Sequence, residues 1–242
     1  MNREEREDRM SMRLDKLLAN ARVGSRKEVG VLIKEGRVMV DGEVVNKPGK
    51  KVEEGADLLV DGKALEVKQH VYYLLHKPQG VISATKDRNK TVLDLIRPED
   101  LHKGLFPVGR LDKDTTGFLL LTNDGGLAHR LLSPKRGIEK TYLARLDEDL
   151  DESDIRAFQE GFLLLPEGMV TRPARLEILE KTLGRVTITE GKYHQVKRMF
   201  AKRGKEVLQL KRISMGPLKL GDLEEGTYRS LSDEEVDLLK AL

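Results

Sequence analysis

Cysteine is absent from all 242 residues, and with it go the chemistries that need a thiolate: a disulfide framework, a cysteine nucleophile, an iron–sulfur cluster and a thiolate zinc site. The five histidines, at 70, 76, 102, 129 and 194, follow no recognised metal-ligand spacing, so no metal centre is expected. Neither common glycine-rich nucleotide loop occurs, which leaves ATP and NAD dependence without a motif, and no cofactor is expected. Apolar runs are also short: none approaches the roughly 18 residues of a membrane span. The charged start, Met-Asn-Arg-Glu-Glu-Arg-Glu-Asp-Arg, lacks the apolar stretch of a signal peptide. The expectation is a cytoplasmic, monomeric protein with no membrane partner.

What is present is core-forming residue and charge. A hydrophobic fraction of 38% is enough for a sizeable core, and the length allows a small domain joined to a medium one. Charged residues reach 35%, above the roughly 25% usual for globular domains. The net charge of +3 conceals an uneven distribution. Residues 13–51 hold ten Lys/Arg against five Asp/Glu, and residues 191–212 hold eight against one. Residues 147–160 and 222–237 compensate, each with seven acidic residues against one basic. Most charge runs are solvated helix faces, but the two basic windows are what a phosphate backbone would feel.

Residues 1–11 are charged and aperiodic, and are expected to be a disordered extension or leader. Leu14, Leu17, Leu18 and Ala21 then recur at helical spacing until Gly24. Ser25 followed by Glu28 fits a capping box, which starts a second helix with Val29, Leu32 and Ile33 on its buried stripe. Asp41-Gly42 and Asp61-Gly62 each follow a β-branched or leucine-rich run and suit two-residue hairpin turns. The order of helix, capped helix and hairpins, with a basic outer surface, resembles the S4 RNA-binding domain over residues 12–70. That resemblance implies that Arg13, Lys16, Arg26, Lys27 and Arg37 share a face that grips structured RNA by its phosphates and shape.

Residues 63–70 read as a connector, and residues 71–242 as a second domain. Short β-rich runs are expected at 71–75, 80–83, 117–122, 141–146, 174–179, 185–189 and 207–213. Helices are expected near 92–96, 126–132, 151–160, 194–203 and 232–240. The strands lack the steady alternation of a doubly wound parallel sheet, so the fold class is α+β: a small S4-like domain of two helices plus β-hairpins, then a mixed, mainly antiparallel sheet.

Residues 107–126 form a polar, glycine-punctuated loop that feeds an apolar strand and then Asp124, positioned to cap a helix. Taken alone, Asp112 is an ordinary turn residue. Its setting reads otherwise: Gly109-Arg110-Leu111-Asp112-Lys113-Asp114-Thr115-Thr116-Gly117, followed by a leucine-rich strand and Thr122-Asn123-Asp124-Gly125, resembles the central motif of pseudouridine synthases of the RsuA branch. Three further segments agree: Lys77-Pro78-Gln79-Gly80-Val81, Lys140-Thr141-Tyr142 and residues 190–200, Glu-Gly-Lys-Tyr-His-Gln-Val-Lys-Arg-Met-Phe.

The resemblance implies that Asp112 is the essential catalytic residue, Tyr142 the active-site tyrosine and Lys197 the basic group that approaches the aspartate. Arg198, its neighbour, points about 100° away on a helix and is expected to face phosphate or support the loop. Arg110, Leu111, Thr115 and Gly117 would support the site, and Lys77, Lys192, His194 and Gln195 would contact RNA. Val196, Met199 and Phe200 fall at i, i+3 and i+4 and read as core. The implied reaction cleaves C1′–N1 of a uridine, rotates the base and rejoins it through C5, without redox change. Tyr193-His194-Gln195 resembles the small-subunit enzyme more than the large-subunit relatives, which usually carry Asn-Arg-Gln. The expected partner is therefore 16S rRNA in a small-subunit assembly intermediate. Alternatives are a 23S rRNA enzyme of the same branch, a non-catalytic ribosome-assembly factor, and a metal-dependent nuclease using Asp112, Asp114 and Asp124.

Overall fold

The computed structural model describes residues 11–21, 23–53, 56–65, 70–166 and 168–242, in two compact units divided between His70 and Val71. The first unit runs β1 (Ser11–Arg13), α1 (Leu14–Asn20), α2 (Arg26–Lys34), β2 (Val38–Val40), β3 (Glu43–Val44), β4 (Lys51–Glu53), β5 (Leu58–Val60) and β6 (Lys63–Ala64). The Ser25–Glu28 capping box forms: Glu28 N–H donates to Ser25 Oγ at 3.3 Å, and Ser25 N–H donates to Glu28 Oε2 at 2.7 Å. Asp41 and Gly42 sit at φ 52° and 80°, the left-handed pair that a two-residue hairpin requires. Leu14, Leu17 and Leu18 of α1 meet Val29 and Ile33 of α2 over Val38, Val40 and Leu58 of the sheet, which has the order β3-β2-β5-β6.

Two expectations change here. Ser11 pairs with Glu53 in the β1–β4 ladder, so the folded region begins before residue 12, while residues 1–10 lie outside the described residues. Lys63 and Ala64 belong to the β5–β6 hairpin and not to a connector. Residues 66–69 of that connector lie outside the described residues.

The second unit runs β7 (Tyr72–Lys77), β8 (Phe106–Pro107), β9 (Thr116–Thr122), α3 (Gly125–Leu132), β10 (Lys140–Leu146), α4 (Glu152–Glu160), β11 (Leu163–Leu164), β12 (Met169–Val170), β13 (Arg175–Glu180), β14 (Leu183–Ile188), α5 (Gln195–Lys202), β15 (Val207–Met215), β16 (Leu218–Lys219), β17 (Tyr228–Ser230) and α6 (Asp233–Lys240). Its sheet has the order β13-β14-β10-β15-β9-β7-β17, with β16 beside β15 and β8 beside β9. The pairings are antiparallel except β9 with β15. The apolar run of β9 is explained by burial on both faces. Leu119 and Leu121 enter one core with Phe158 of α4 and Phe200 of α5, and Phe118 and Leu120 enter another with Leu127 of α3 and Leu239 of α6.

The parallel pair β9–β15 makes Gly117 obligatory. It sits at φ 104°, and a Cβ there would lie 2.2 Å from the Arg212 carbonyl oxygen. Residues 80–83 are not a strand: Gly80 lies in a turn, and Ile82 makes only an isolated bridge to Thr91. The helix expected at 92–96 is a four-residue 3₁₀ turn, Val92–Leu95.

Candidate active site

The segment between β8 and β9 is held by hydrogen bonds from within the chain. Thr115 N–H donates to the Asp112 carbonyl at 3.1 Å, which closes a tight turn. Ser83 brackets Leu111 on both sides: its hydroxyl donates to the Leu111 carbonyl and accepts from the Leu111 N–H, each at 3.0 Å. Lys77 is fully buried and donates to the carbonyls of Thr115, Pro78 and Lys113 at 2.8, 3.0 and 3.3 Å. Lys77 was expected to contact RNA; instead it is the internal tie of this loop, because β7 directs its last side chain inward. Burial pushes its ammonium down to about 8, against the pull of Asp114 and Asp112.

The Asp112 carboxylate lies between two basic side chains. His194 Nε2 is 3.4 Å from Oδ1, and Lys197 Nζ is 3.7 Å from Oδ2. His194 precedes α5 in a left-handed conformation, φ 49°, and a residue three further on returns to the same side of a helix. That geometry brings His194 and Lys197 to Asp112 together. The Lys197 ammonium makes a closer contact with Asp114 Oδ1, 2.5 Å, and holds the Asp114 carboxyl below its usual range. Arg198 donates instead to the Leu165 carbonyl at 2.8 Å.

Gln195, expected on the RNA face, is buried. Its amide donates to Glu190 Oε1 at 2.8 Å, and its carbonyl accepts from Lys192 N–H at 3.0 Å. Glu190 is the hub, since it also accepts from Arg172 N–H at 2.9 Å and lies 3.4 Å from Lys192 Nζ. Lys192 additionally donates to the Val170 carbonyl. This lock sets the path of residues 190–195, and a buried glutamate beside glutamine was not singled out in the sequence.

Tyr142 lies on β10, whose alternating burial puts Lys140, Tyr142, Ala144 and Leu146 on one inward face. Its ring is 7% exposed, and the Arg212 guanidinium lies 6.0 Å from the ring centroid. Tyr142 and Asp112 line one cavity with Arg110, Leu111, Thr115, Lys140, Lys192, His194 and Arg212. Its volume of about 120 Å³ is comparable to the roughly 150 Å³ that holds a benzene ring, so a single six-membered ring is the scale of its occupant. Sequence reasoning missed Ser83, Glu190 and Arg212, and read Lys140 only as a neighbour of Tyr142.

In the first unit Arg13, Lys16, Arg26, Lys27 and Arg37 are all exposed. Arg13 and Arg26 share Asp15, at 2.8 and 3.6 Å, and Arg37 is held by Asp61 at 2.6 Å and Glu35 at 3.3 Å. The carboxylates considered for a nuclease are otherwise engaged. Asp124 caps α3 through Leu127 N–H at 2.9 Å and accepts from the Tyr72 hydroxyl, also at 2.9 Å, while Asp114 is paired with Lys197.

A loop aspartate beside a lysine faces a ring-sized cleft with a buried tyrosine, an arrangement suited to acid–base or nucleophilic chemistry. The small domain of exposed cations ahead of it is of the RNA-binding kind. Residues 71–202 match the RNA pseudouridylate synthase family and residues 12–58 match the S4 domain; the chain belongs to that family of pseudouridine synthases. It is 49% identical to the Bacillus subtilis protein named "uncharacterized RNA pseudouridine synthase YtzG", over 94% of this chain and 98% of that one. It is 41% identical to ribosomal small subunit pseudouridine synthase A of Escherichia coli K12, over 93% and 98%. It is also 41% identical to ribosomal large subunit pseudouridine synthase B of Bacillus subtilis, over 95% and 96%. A solved structure described as a pseudouridylate synthase superposes with TM-score 0.68 at 38% identity, covering 95% of this chain and all of that one.

Proposed function

We propose that the enzyme converts a specific uridine of ribosomal RNA to pseudouridine, and that its target lies in 16S rRNA of a small-subunit assembly intermediate. It acts as a cytoplasmic monomer whose domain boundary falls between residues 70 and 71, the first domain docking on RNA and the second performing the chemistry. The observation that carries the reading is the Asp112 carboxylate, placed 3.7 Å from Lys197 in the cleft that also holds Tyr142. Relatives named for ribosomal subunits support an rRNA target, and Tyr193-His194-Gln195 favours the small subunit over the 23S alternative.

Asp112 either attacks C1′ of the ribose or removes the C2′ proton in a glycal route. Lys197 faces the carboxylate as a positive counter-charge, and Tyr142 holds the detached uracil by stacking while it turns. A uridine inside a duplex cannot reach this cleft, so the target base is flipped out or unpaired when it binds. Isomerisation conserves oxidation state and atoms, and requires no cofactor. His194 and Lys192 border the cleft where the flanking strand enters, and Arg110, an exposed residue of the loop, faces RNA phosphate.

The test compares wild type with Asp112→Asn on 16S rRNA, 23S rRNA and partly assembled subunits, reading pseudouridine by site-resolved mapping. Asp112→Asn abolishes conversion and retains RNA affinity. Equal yields from the two proteins would overturn the catalytic assignment, and modification confined to 23S rRNA would overturn the choice of subunit.

A further inference from the structure

Two cations in the cleft have no role in the scheme above. Lys140 is 8% exposed and Arg212 2% exposed, and both line the cavity with Asp112 and Tyr142. Arg212 stands directly across from Tyr142 in the β10–β15 ladder, and Lys140 precedes Tyr142 by two residues on the same inward face. Tyr142 therefore has one cation opposite it on the neighbouring strand and a second two residues back on its own strand.

Neither cation is neutralised. Lys140 donates to the Ile138 carbonyl at 2.9 Å, Arg212 Nε donates to the Phe118 carbonyl at 2.8 Å, and Arg212 Nη2 is buried without a hydrogen-bond partner among the described residues. Among the same residues no carboxylate forms an ion pair with either one. Desolvation, with Arg212 close by, lowers the Lys140 ammonium to about 8. Two like charges kept out of water with spare donors are costly, and the cost is offset when a negative ligand arrives between them.

We infer that Lys140 and Arg212 are catalytic residues that stabilise the uracil anion on its carbonyl oxygens when the glycosidic bond is broken. The inference rests on the pseudouridine synthase reading of this cleft. As C1′–N1 breaks, its electron pair leaves with the base and spreads over N1, O2 and O4. After rotation a pair at C5 forms the new bond to C1′, the C5 proton is lost to a base, and N1 takes up a proton, so atoms and electrons balance. Charge on O2 and O4 exists only between the two bonds. Donors fixed at those oxygens therefore lower the barrier without tightening substrate binding. An RNA phosphate is the competing occupant, but its charge is the same before and during reaction, so contact with it would strengthen binding and leave the chemical step alone.

The experiment uses the full chain and the rRNA transcript that the wild type modifies, made with uridine or with 5-fluorouridine. Fluorine withdraws charge from the departing base and reduces its need for outside donors. Single-turnover C1′–N1 cleavage and RNA affinity are measured for wild type, Lys140→Met, Lys140→Arg, Arg212→Gln and Asp112→Asn. Lys140→Met slows cleavage of the uridine transcript by roughly 100-fold at unchanged affinity. The deficit is much smaller on 5-fluorouridine, and Lys140→Arg recovers most of the rate. Arg212→Gln reads the same quantity should Lys140→Met misfold. An equal deficit on both transcripts, weakened affinity with an intact rate, or no deficit would each overturn the assignment. If Asp112→Asn keeps the wild-type rate, the reading of the cleft itself fails; if it is inactive while the lysine variant is indifferent to fluorine, only the anion-binding role fails.

Discussion

Charge held out of water is the recurring device at the scale of single residues. Lys77 has no exposed surface, and its ammonium, lowered to about 8 from 10.5, holds two carbonyls of the segment that carries Asp112, those of Lys113 and Thr115, and that of its own neighbour Pro78. Below pH 8 both the native and unfolded chains keep this proton, and the native state bears the full desolvation penalty. Between about 8 and 10.5 the native lysine is neutral while the unfolded one is still charged, so the fold gains relative stability as pH rises through that window. Above 10.5 both are neutral and the penalty is gone. The unfolding free energy of wild type minus that of Lys77→Met should therefore rise between pH 8 and 10.5 in urea titrations. A difference that is flat across the window would show that the lysine is not desolvated as described.

At the scale of elements, α4 and α5 are coupled through a carboxylate that the sequence hides within an acidic run. Asp154 of α4 is completely buried, 2.7 Å from Arg203 Nε and 3.3 Å from Lys205 Nζ, just beyond the end of α5. Asp154→Ala leaves two cations facing an empty site, and its loss should cost about 3–5 kcal/mol in denaturant unfolding. Asp149→Ala, whose carboxylate is exposed and 3.8 Å from Lys181, should cost less than about 1 kcal/mol. Both aspartates belong to the same acidic window, and composition alone cannot separate them. The helices were legible because their signals are local: Ser25 with Glu28, Asp124 ahead of α3, and Val196, Met199 and Phe200 on one stripe of α5. The two-residue strands β8, β11, β12 and β16 were not, since two residues carry no alternation to read. The site divides in the same way. Asp112, Tyr142 and Lys197 lie in recognisable segments, whereas the burial of Lys77 and Arg212 follows from sheet order and that of Gln195 from its bonds to Glu190 and Lys192, which no local pattern encodes. A lysine at the end of a strand reads as a surface cation until β9 and its loop are known to cover it.

At the scale of the whole molecule, the +5 window of residues 13–51 makes salt the natural probe of RNA docking. Its exposed cations are not equivalent. Arg13 and Arg26 are partly spent on Asp15, and Arg37 on Asp61 and Glu35, while Lys16 and Lys27 make no ion pair among the described residues. A cation already paired within the protein must give up that carboxylate before it can release a counterion from RNA, so the two lysines contribute most to the salt dependence. Each phosphate contact adds about 0.7–0.9 to the slope of log affinity against log salt. Lys16→Gln with Lys27→Gln should therefore flatten that slope by about 1.4–1.8 and weaken binding, most visibly at low salt. Conversion of already bound RNA should continue at the wild-type rate, because the residues that line the cleft belong to the second unit. Filter binding across a salt series, paired with single-turnover conversion at saturating enzyme, separates the two effects. A slope identical to wild type would remove these lysines from the RNA face, and a slower saturated rate would make them part of target positioning and not of phosphate attraction alone.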